Sequence, residues 1–450
     1  MNKCYSGEFS VNNQLYFCGI PFRLDSYSGC THNCIYCFAR ANSVFNVSVT
    51  MHGNQDKIIP ADPKYFISKL ALVHRDFGES RNDINIEWLR HRVPIHFGGM
   101  SDPFQPCEHK YQVSLRYMEY LSFAQYPTVI STKATPMLVE PEYLALLKKG
   151  KYAVQTSLVC ADDSLLAQLE PGAPSATARL EAVESLSAAG IWTAIRIQPM
   201  IPDTLIESDL GAFIARIAKA GVKHVLVEGY KASSNSDRTA LMWKLFPGAI
   251  NNFKYPDSER QSHEKLIPAW RKWKYVKAAR ALVHEYGMTF GAADNDLRDQ
   301  GDVVCCCGID NLPGFENFWK YQASQAAVVA KAKGTVSLED MQEYWSGGEA
   351  RLDAGDTENY PKYQASRKAY RESKGRVAIQ AGAMRDEFNA TGVQHTAKAC
   401  IDYTWARGGG NSPECMACMK RVQIDGKTAY QYQDPVPMLE AEDKEQLSLL

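Results

Sequence analysis

The run Cys30-Thr31-His32-Asn33-Cys34-Ile35-Tyr36-Cys37 decides how this chain is read. It sets three thiols within eight residues, spaced Cys-x3-Cys-x2-Cys, between the stretch Phe22 to Tyr27 and the basic Arg40. Three soft ligands on one loop suit an iron–sulfur cluster better than a closed zinc site, which takes four ligands, usually in pairs. A structural metal knuckle is the alternative reading of the same spacing.

Working outward, one phrase repeats from about residue 20 to 300: amphipathic helix, closing glycine, apolar strand. Leu144 to Gly150 leads into Tyr152–Val159, and Leu180 to Gly190 into Trp192–Pro199. Phe213 to Gly221 leads into His224–Gly229, and Leu282 to Gly287 into Met288–Ala293. A glycine just past a helix offers a left-handed C-cap, and short apolar runs suit buried parallel strands. Earlier strands are expected at Phe22–Tyr27, Val93–Gly98 and Thr128–Ser131, with helices near Pro63–Phe77 and Gln112–Ala124. Roughly six or seven strands in this alternation favour an α/β fold built as a partial or open (β/α) barrel over a doubly wound sheet. Polar residues gather where strands end: Asp102, Ser131, Lys133, Ser157, Arg196, Gln198 and Glu228. In such barrels those ends form the active-site mouth; capped loops or a salt-bridged rim are the plainer reading of each residue alone.

Composition sets bounds on function. The 450 residues suffice for a large core and an added domain, with 45% hydrophobic and 22% charged residues. A net charge of −1 advertises no overall field for nucleic acid, so any such contact needs a local patch. No run is apolar and long enough to span a bilayer and the start lacks a signal-peptide core, so no membrane partner is expected. Thirteen cysteines without an export signal point to metal and redox chemistry in a reducing cytoplasm.

Five blocks, in order, resemble the spore photoproduct lyase-like (DNA repair photolyase-like) branch of the radical SAM superfamily. They are Ser28 to Arg40 around the cysteines; Ser101-Asp-Pro-Phe-Gln-Pro106-Cys-Glu108; Ser131-Thr-Lys133; Leu169-Glu-Pro-Gly-Ala-Pro-Ser175 with Arg179-Leu180; and Gln198-Pro-Met-Ile-Pro202. The resemblance covers about residues 20 to 310. It implies a partial (β/α)6 radical SAM barrel over 21–311 after an N-terminal extension, 1–20. It also implies that Cys30, Cys34 and Cys37 ligate a [4Fe–4S] cluster whose fourth iron binds S-adenosyl-L-methionine (SAM). Tyr36 is expected at the adenine side and Gly98 and Gly99 at the SAM amino group. Asp102, Ser131, Lys133, Ser157 and Arg196 are candidates for SAM or substrate contacts; a zwitterionic sulfonium ligand needs such carboxylate, hydroxyl and cationic partners. One departure stands out. True spore photoproduct lyases carry a cysteine hydrogen-atom donor just before the Ser-Asp pair, where this chain reads Gly98-Gly99-Met100. Cys107 and Cys160 are the candidate replacements, although a buried inert thiol is the usual state of such residues.

Residues 312–450 read as a mostly helical, cysteine-containing appendage. Helices are expected at Asn317–Ala332 and, from the capping-box pattern Ser-Leu-Glu-Asp, at Ser337–Trp345, while Pro361–Val377 reads as a solvated charged face. Residues 237–264 read as an insertion, either a substrate-contact lid or a packed excursion. Cys305-Cys306-Cys307 with Cys400, Cys415 and Cys418 form a candidate second metal site, an auxiliary iron–sulfur cluster or a zinc, with buried or reactive thiols as the alternative.

The resemblance therefore implies an enzyme that reductively cleaves SAM to a 5′-deoxyadenosyl radical, which abstracts a hydrogen atom from substrate. Lyase, isomerase and transferase outcomes stay open. A nucleobase or nucleotide in DNA is the leading substrate, a peptide or small metabolite the second, and a low-potential flavodoxin or ferredoxin the electron donor. A reading of another class, a zinc-stabilised nucleic-acid-binding module, predicts a colourless zinc protein with steeply salt-dependent DNA binding.

Overall fold

The apolar runs that close each helix–glycine phrase become neighbouring strands of one sheet. The computed structural model describes residues 4–5, 8–11, 15–41, 58–71, 88–201, 210–233, 237–247, 264–344, 401, 404–408 and 412–448. Eight strands lie side by side: β1 Phe9–Val11, β2 Phe22–Leu24, β3 Ile95–Phe97, β4 Thr128–Thr132, β5 Tyr152–Ser157, β6 Trp192–Met200, β7 His224–Gly229 and β8 Thr289–Ala292. Only the β1–β2 pairing is antiparallel; every pairing from β2 to β8 is parallel. Spatial order equals chain order throughout. A doubly wound sheet reverses its order at a switch point, whereas successive crossovers in one direction build a barrel wall. The sheet is an open, partial barrel with seven parallel strands, β2 to β8, within the six or seven expected.

The crossover helices include α1 Pro63–Ala71, α2 Val113–Phe123, α3 Pro141–Lys149, α4 Ala176–Ala188, α5 Leu210–Lys219 and α6 Ala269–Glu285. Gly190, Gly221 and Gly287 have φ of +79°, +80° and +69° and end their helices in the left-handed region as expected. Gly150 does not. Its φ is −98°, and it is glycine because a Cβ there would strike the Tyr152 ring and Ser122. The expected strand Phe22–Tyr27 also divides: β2 stops at Leu24, and Tyr27–Ser28 pairs instead with Ile59–Pro60.

Side-chain period two assigns the faces of the sheet. Ile130 and Val154 pack outward in one core cluster, and Ile195, Ile197, Val225 and Val227 in a second. The alternate residues Val129 and Ala153 turn inward and meet Ile20, Cys305, Cys307, Ile309, Phe315 and Phe318. The segment after β8 thus folds back into the space that the strands enclose. The same parity puts Ser131, Gln155, Ser157, Arg196, Gln198 and Glu228 on the inner face.

Within the appendage, α7 Ala323–Lys333 is the expected helix, and Ser337 and Asp340 make the reciprocal capping box at the start of the short helix Leu338–Met341. The described part also holds a three-stranded antiparallel sheet that the sequence reading did not anticipate. It is built from β9 Thr335–Val336, β10 Met419–Ile424 and β11 Lys427–Tyr432 in the order β9-β11-β10. Of the expected insertion, Asp237–Leu245 is a helix and Glu264–Leu266 pairs with Lys231–Ser233. Residues 248–263, the charged stretch Pro361–Val377 and Cys400 lie outside the described residues.

Candidate metal centre

The cysteine loop leaves the C-terminal end of β2 and is gripped by the loops after β3 and β5. Cys34 is buried; Cys30 and Cys37 are partly exposed. Gln105, itself fully buried, spans the first turn. Its Oε1 accepts from Thr31 N (2.9 Å) and Thr31 Oγ1 (3.2 Å), and its Nε2 donates to Gly29 O (3.0 Å). From the other side, Ile35 N donates to Leu169 O and Gly172 N to His32 O, both 2.9 Å, while His32 Nδ1 lies 3.0 Å from Gly172 O. A Cβ on Gly172 would overlap the Thr31 carbonyl, so only glycine lets these loops close on each other.

Asp102 joins the cysteine loop to the end of β4. Its Oδ2 lies 3.1 Å from His32 Nε2 and accepts from Lys133 N (2.6 Å), and its Oδ1 accepts from Thr132 Oγ1 (2.8 Å) and Phe104 N (2.9 Å). Burial alone would raise this carboxyl, but His32 and the backbone donors hold it far below the usual range. With both oxygens occupied inside the protein, Asp102 anchors the loop in this structure.

Tyr36 donates to Glu170, whose other oxygen pairs with Arg179; both Glu170 and Arg179 are buried. Lys133 Nζ lies 3.7 Å from Glu170 Oε1 and 5.5 Å from the Tyr36 ring centroid. Arg179 also donates to Ser157 O (2.9 Å). On the inner face of the barrel a polar chain crosses four strands. His96 Nε2 lies 2.7 Å from Ser131 Oγ, Arg196 donates to Ser131 Oγ (3.2 Å) and to Gln198, and Gln198 donates to Glu228. Burial and the nearby Arg196 and Arg23 push His96 down to about 3, so it is neutral. Ser131, Arg196, Gln198 and Glu228 are therefore one connected surface, and Ser157 faces the same interior. Gly98 and Gly99 are glycines for packing: Gly98, at φ +98°, abuts Ser131 O and Pro103, and Gly99 abuts the Arg23 side chain.

The three thiols fit a cluster by the chemistry of their donor set. Burial pushes Cys30 up to about 12 and Cys34 well up, and neighbouring thiols add to both: Cys37 at Cys30, and Cys37 and Cys30 at Cys34. Iron cations in place of those protons would relieve that repulsion. Among the described residues no three Cys, His, Asp or Glu side chains converge on a single ion. A four-iron cube needs no such convergence, because each thiolate grips a different iron.

The remaining cysteines separate by position. Cys107 stands near Cys30 and Asp102, with burial pushing it up to about 12. Cys160 is buried in the second outer core and its Sγ donates to Asp162 O (3.7 Å), away from the inner face. Cys305, Cys306 and Cys307 touch one another inside the barrel, with Cys18 and Arg298 beside them. Cys418 instead packs in another core against Asp299. Arg298 and Asp299, neighbours in the 3-10 helix Asn295–Gln300, thus stand beside the run and beside Cys418 respectively. Gln105, Glu170, Arg179 and His96 were not singled out from sequence; the first three stand in the blocks that carry the resemblance, but no local pattern marks them as grips.

Several known proteins share features with this chain. An uncharacterised protein of Mycobacterium tuberculosis (strain H37Rv) is 25% identical over 271 residues, 57% of this chain and 76% of that protein. A Pseudomonas phage M6 protein named radical SAM Nα-GlyT isomerase is 26% identical over 211 residues, 46% of this chain and 39% of its own length. The likeness is to radical SAM enzymes. Among solved structures, a spore photoproduct lyase variant with bound AdoMet and dinucleoside spore photoproduct superposes with a TM-score of 0.45 at 16% identity. That match covers 63% of this chain and 80% of the other. The structure of Streptococcus suis SuiB bound to S-adenosylmethionine gives 0.39 at 12%, over 61% and 51%. No protein-family model matches the chain.

Proposed function

We propose that this chain is a radical SAM enzyme acting on a nucleobase or nucleotide held in the barrel mouth. The observation that carries the reading is a three-cysteine loop, clamped by Gln105, Asp102 and the 169–172 turn, opening beside a continuous polar inner face. A [4Fe–4S] cluster bound by Cys30, Cys34 and Cys37, with SAM, would supply one-electron cleavage to a carbon radical able to abstract hydrogen. The protein's own work is orientation and exclusion of water. Gln105 and Gly172 fix the loop's backbone, Asp102 ties it to β4, and Tyr36 is held by Glu170. Arg196 presents its guanidinium on the inner face at the level of Ser131, where an anionic group of SAM or substrate has a partner. Neutral His96 can accept or donate a hydrogen bond there without bringing charge.

A nucleic-acid substrate is supported by the branch resemblance, and a flavodoxin or ferredoxin is the reductant of matching chemistry. Among the described residues no helix is long and apolar enough to cross a membrane, in keeping with proposed cytoplasmic work. A second centre, an iron–sulfur cluster or a zinc drawing on Cys305, Cys306, Cys307, Cys400, Cys415 and Cys418, remains part of the proposal, with Cys400 outside the described residues. Anaerobic reconstitution followed by assay for 5′-deoxyadenosine, with DNA, RNA and nucleosides as substrates, tests the reading. Wild type should form the nucleoside and Cys37→Ala should not. An iron-loaded, reduced wild type that leaves SAM intact would refute it, and a colourless protein with stoichiometric zinc would favour the binding-module reading.

A further inference from the structure

Beside the cysteine loop lies a largely buried cluster of charged side chains. Glu170 carries one negative charge, and Arg179 and Lys133 one positive each, all within ion-pair reach of its carboxylate. Arg179 is fully buried and fixed a second time by Ser157 O. Lys133 is placed from behind, because its own backbone N is bound to Asp102, and its Nζ stands over the ring of Tyr36, between Cys34 and Cys37. Tyr36 in turn donates to Glu170. The arrangement puts an ammonium and its counter-ion on the flank of the loop that would hold a cluster.

We propose that the Lys133–Glu170 pair sets the reduction potential of the cluster on this loop, the ammonium raising it and the carboxylate lowering it. This rests on the radical SAM reading of the three cysteines. The couple takes up one electron and makes or breaks no bond, so a nearby fixed charge acts directly on its free energy. Glu170 is buried and the Lys133 side chain is 16% exposed, so solvent screens that action only in part, and local charge is among the levers that spread iron–sulfur potentials over a wide range. Glu170 itself is ionised, since Lys133 and Arg179 outweigh the burial that would raise it.

The test uses the full chain, reconstituted anaerobically without SAM, with iron and sulfide counted and the potential read by mediated titration of the reduced-cluster EPR signal. K133Q should shift the potential to a more negative value, and E170Q to a more positive one, at unchanged iron content. E170Q leaves Arg179 buried without its partner and can fail to fold; K133Q keeps the Glu170–Arg179 pair and decides the matter alone. A fully loaded K133Q at the wild-type potential, or above it, overturns the proposal while leaving the radical SAM reading intact. A wild type that takes up no iron overturns both.

Discussion

At the scale of single residues, the site depends on groups whose polar atoms are committed inside the protein. Asp102 is the clearest. Asp102→Asn disturbs the acceptors of Lys133 N, Thr132 Oγ1 and the His32 ring, and leaving buried donors without a partner typically costs about 1–3 kcal/mol. Denaturant titration should register that loss, and the variant should retain less iron than wild type after gel filtration. Glu8 carries a different signature. It is buried, and burial with Asp62 nearby pushes it up to about 7 against the partial opposition of Lys69. A carboxyl raised in the folded state contributes most below its unfolded pKa, and that contribution is lost as pH rises from about 4.5 through 7. Glu8→Gln should therefore leave stability at pH 4 nearly unchanged and raise it at pH 8. The gain is on the order of 1–2 kcal/mol once solvent screening is discounted. Equal shifts at both pH values in urea melts would show that Glu8 does not titrate this way.

At the scale of elements, the cysteine loop is shaped by its neighbours more than by its own residues. The turn after the short helix Asp163–Leu169 meets it so closely that Gly172→Ala would place a methyl on the Thr31 carbonyl. That change should leave far-ultraviolet circular dichroism near wild type while lowering iron uptake several-fold, because the loop, not the barrel, must move. How much of this was legible beforehand differs residue by residue. Cys30, Cys34 and Cys37 announce themselves because three thiols at that spacing have few other uses. Ser131, Arg196 and Gln198 could be singled out because they stand where apolar strand runs end, which is a local pattern; that all three face inward is the structure's contribution. Gln105 and Glu170 could not. Their partners lie 74 and 134 residues away in the chain, and a buried glutamine or glutamate looks locally like a surface one. Gly150 was misjudged for a related reason: a closing glycine reads as a C-cap, and only the Tyr152 ring beside it shows that space was the constraint.

At the scale of the whole molecule, the boundary expected near residue 311 is bridged by shared core. Trp319 N donates to Gly19 O and Trp319 Nε1 to Leu15 O, and Ala323 N donates to Tyr16 O. The Trp319 ring packs 5.0 Å from Trp88, and both belong to the cluster that backs β2 and β3. Trp319→Ala should cost about 3–5 kcal/mol, read from denaturant melts. A chain ending at 311 should be insoluble or lack a cooperative melt; a soluble, cooperatively melting fragment would make the appendage a separate domain.

The sequence alone settled the alternation of helix and strand and the presence of a three-thiol loop, because periodicity and ligand spacing are short-range properties that a linear reading can see. Tertiary structure alone decided that Gln105, Asp102 and Glu170 hold that loop, and that Cys305–Cys307 turn into the barrel. Those outcomes depend on which distant segments are brought within 3 Å of each other, and burial, not residue type, then determines what each polar group must do.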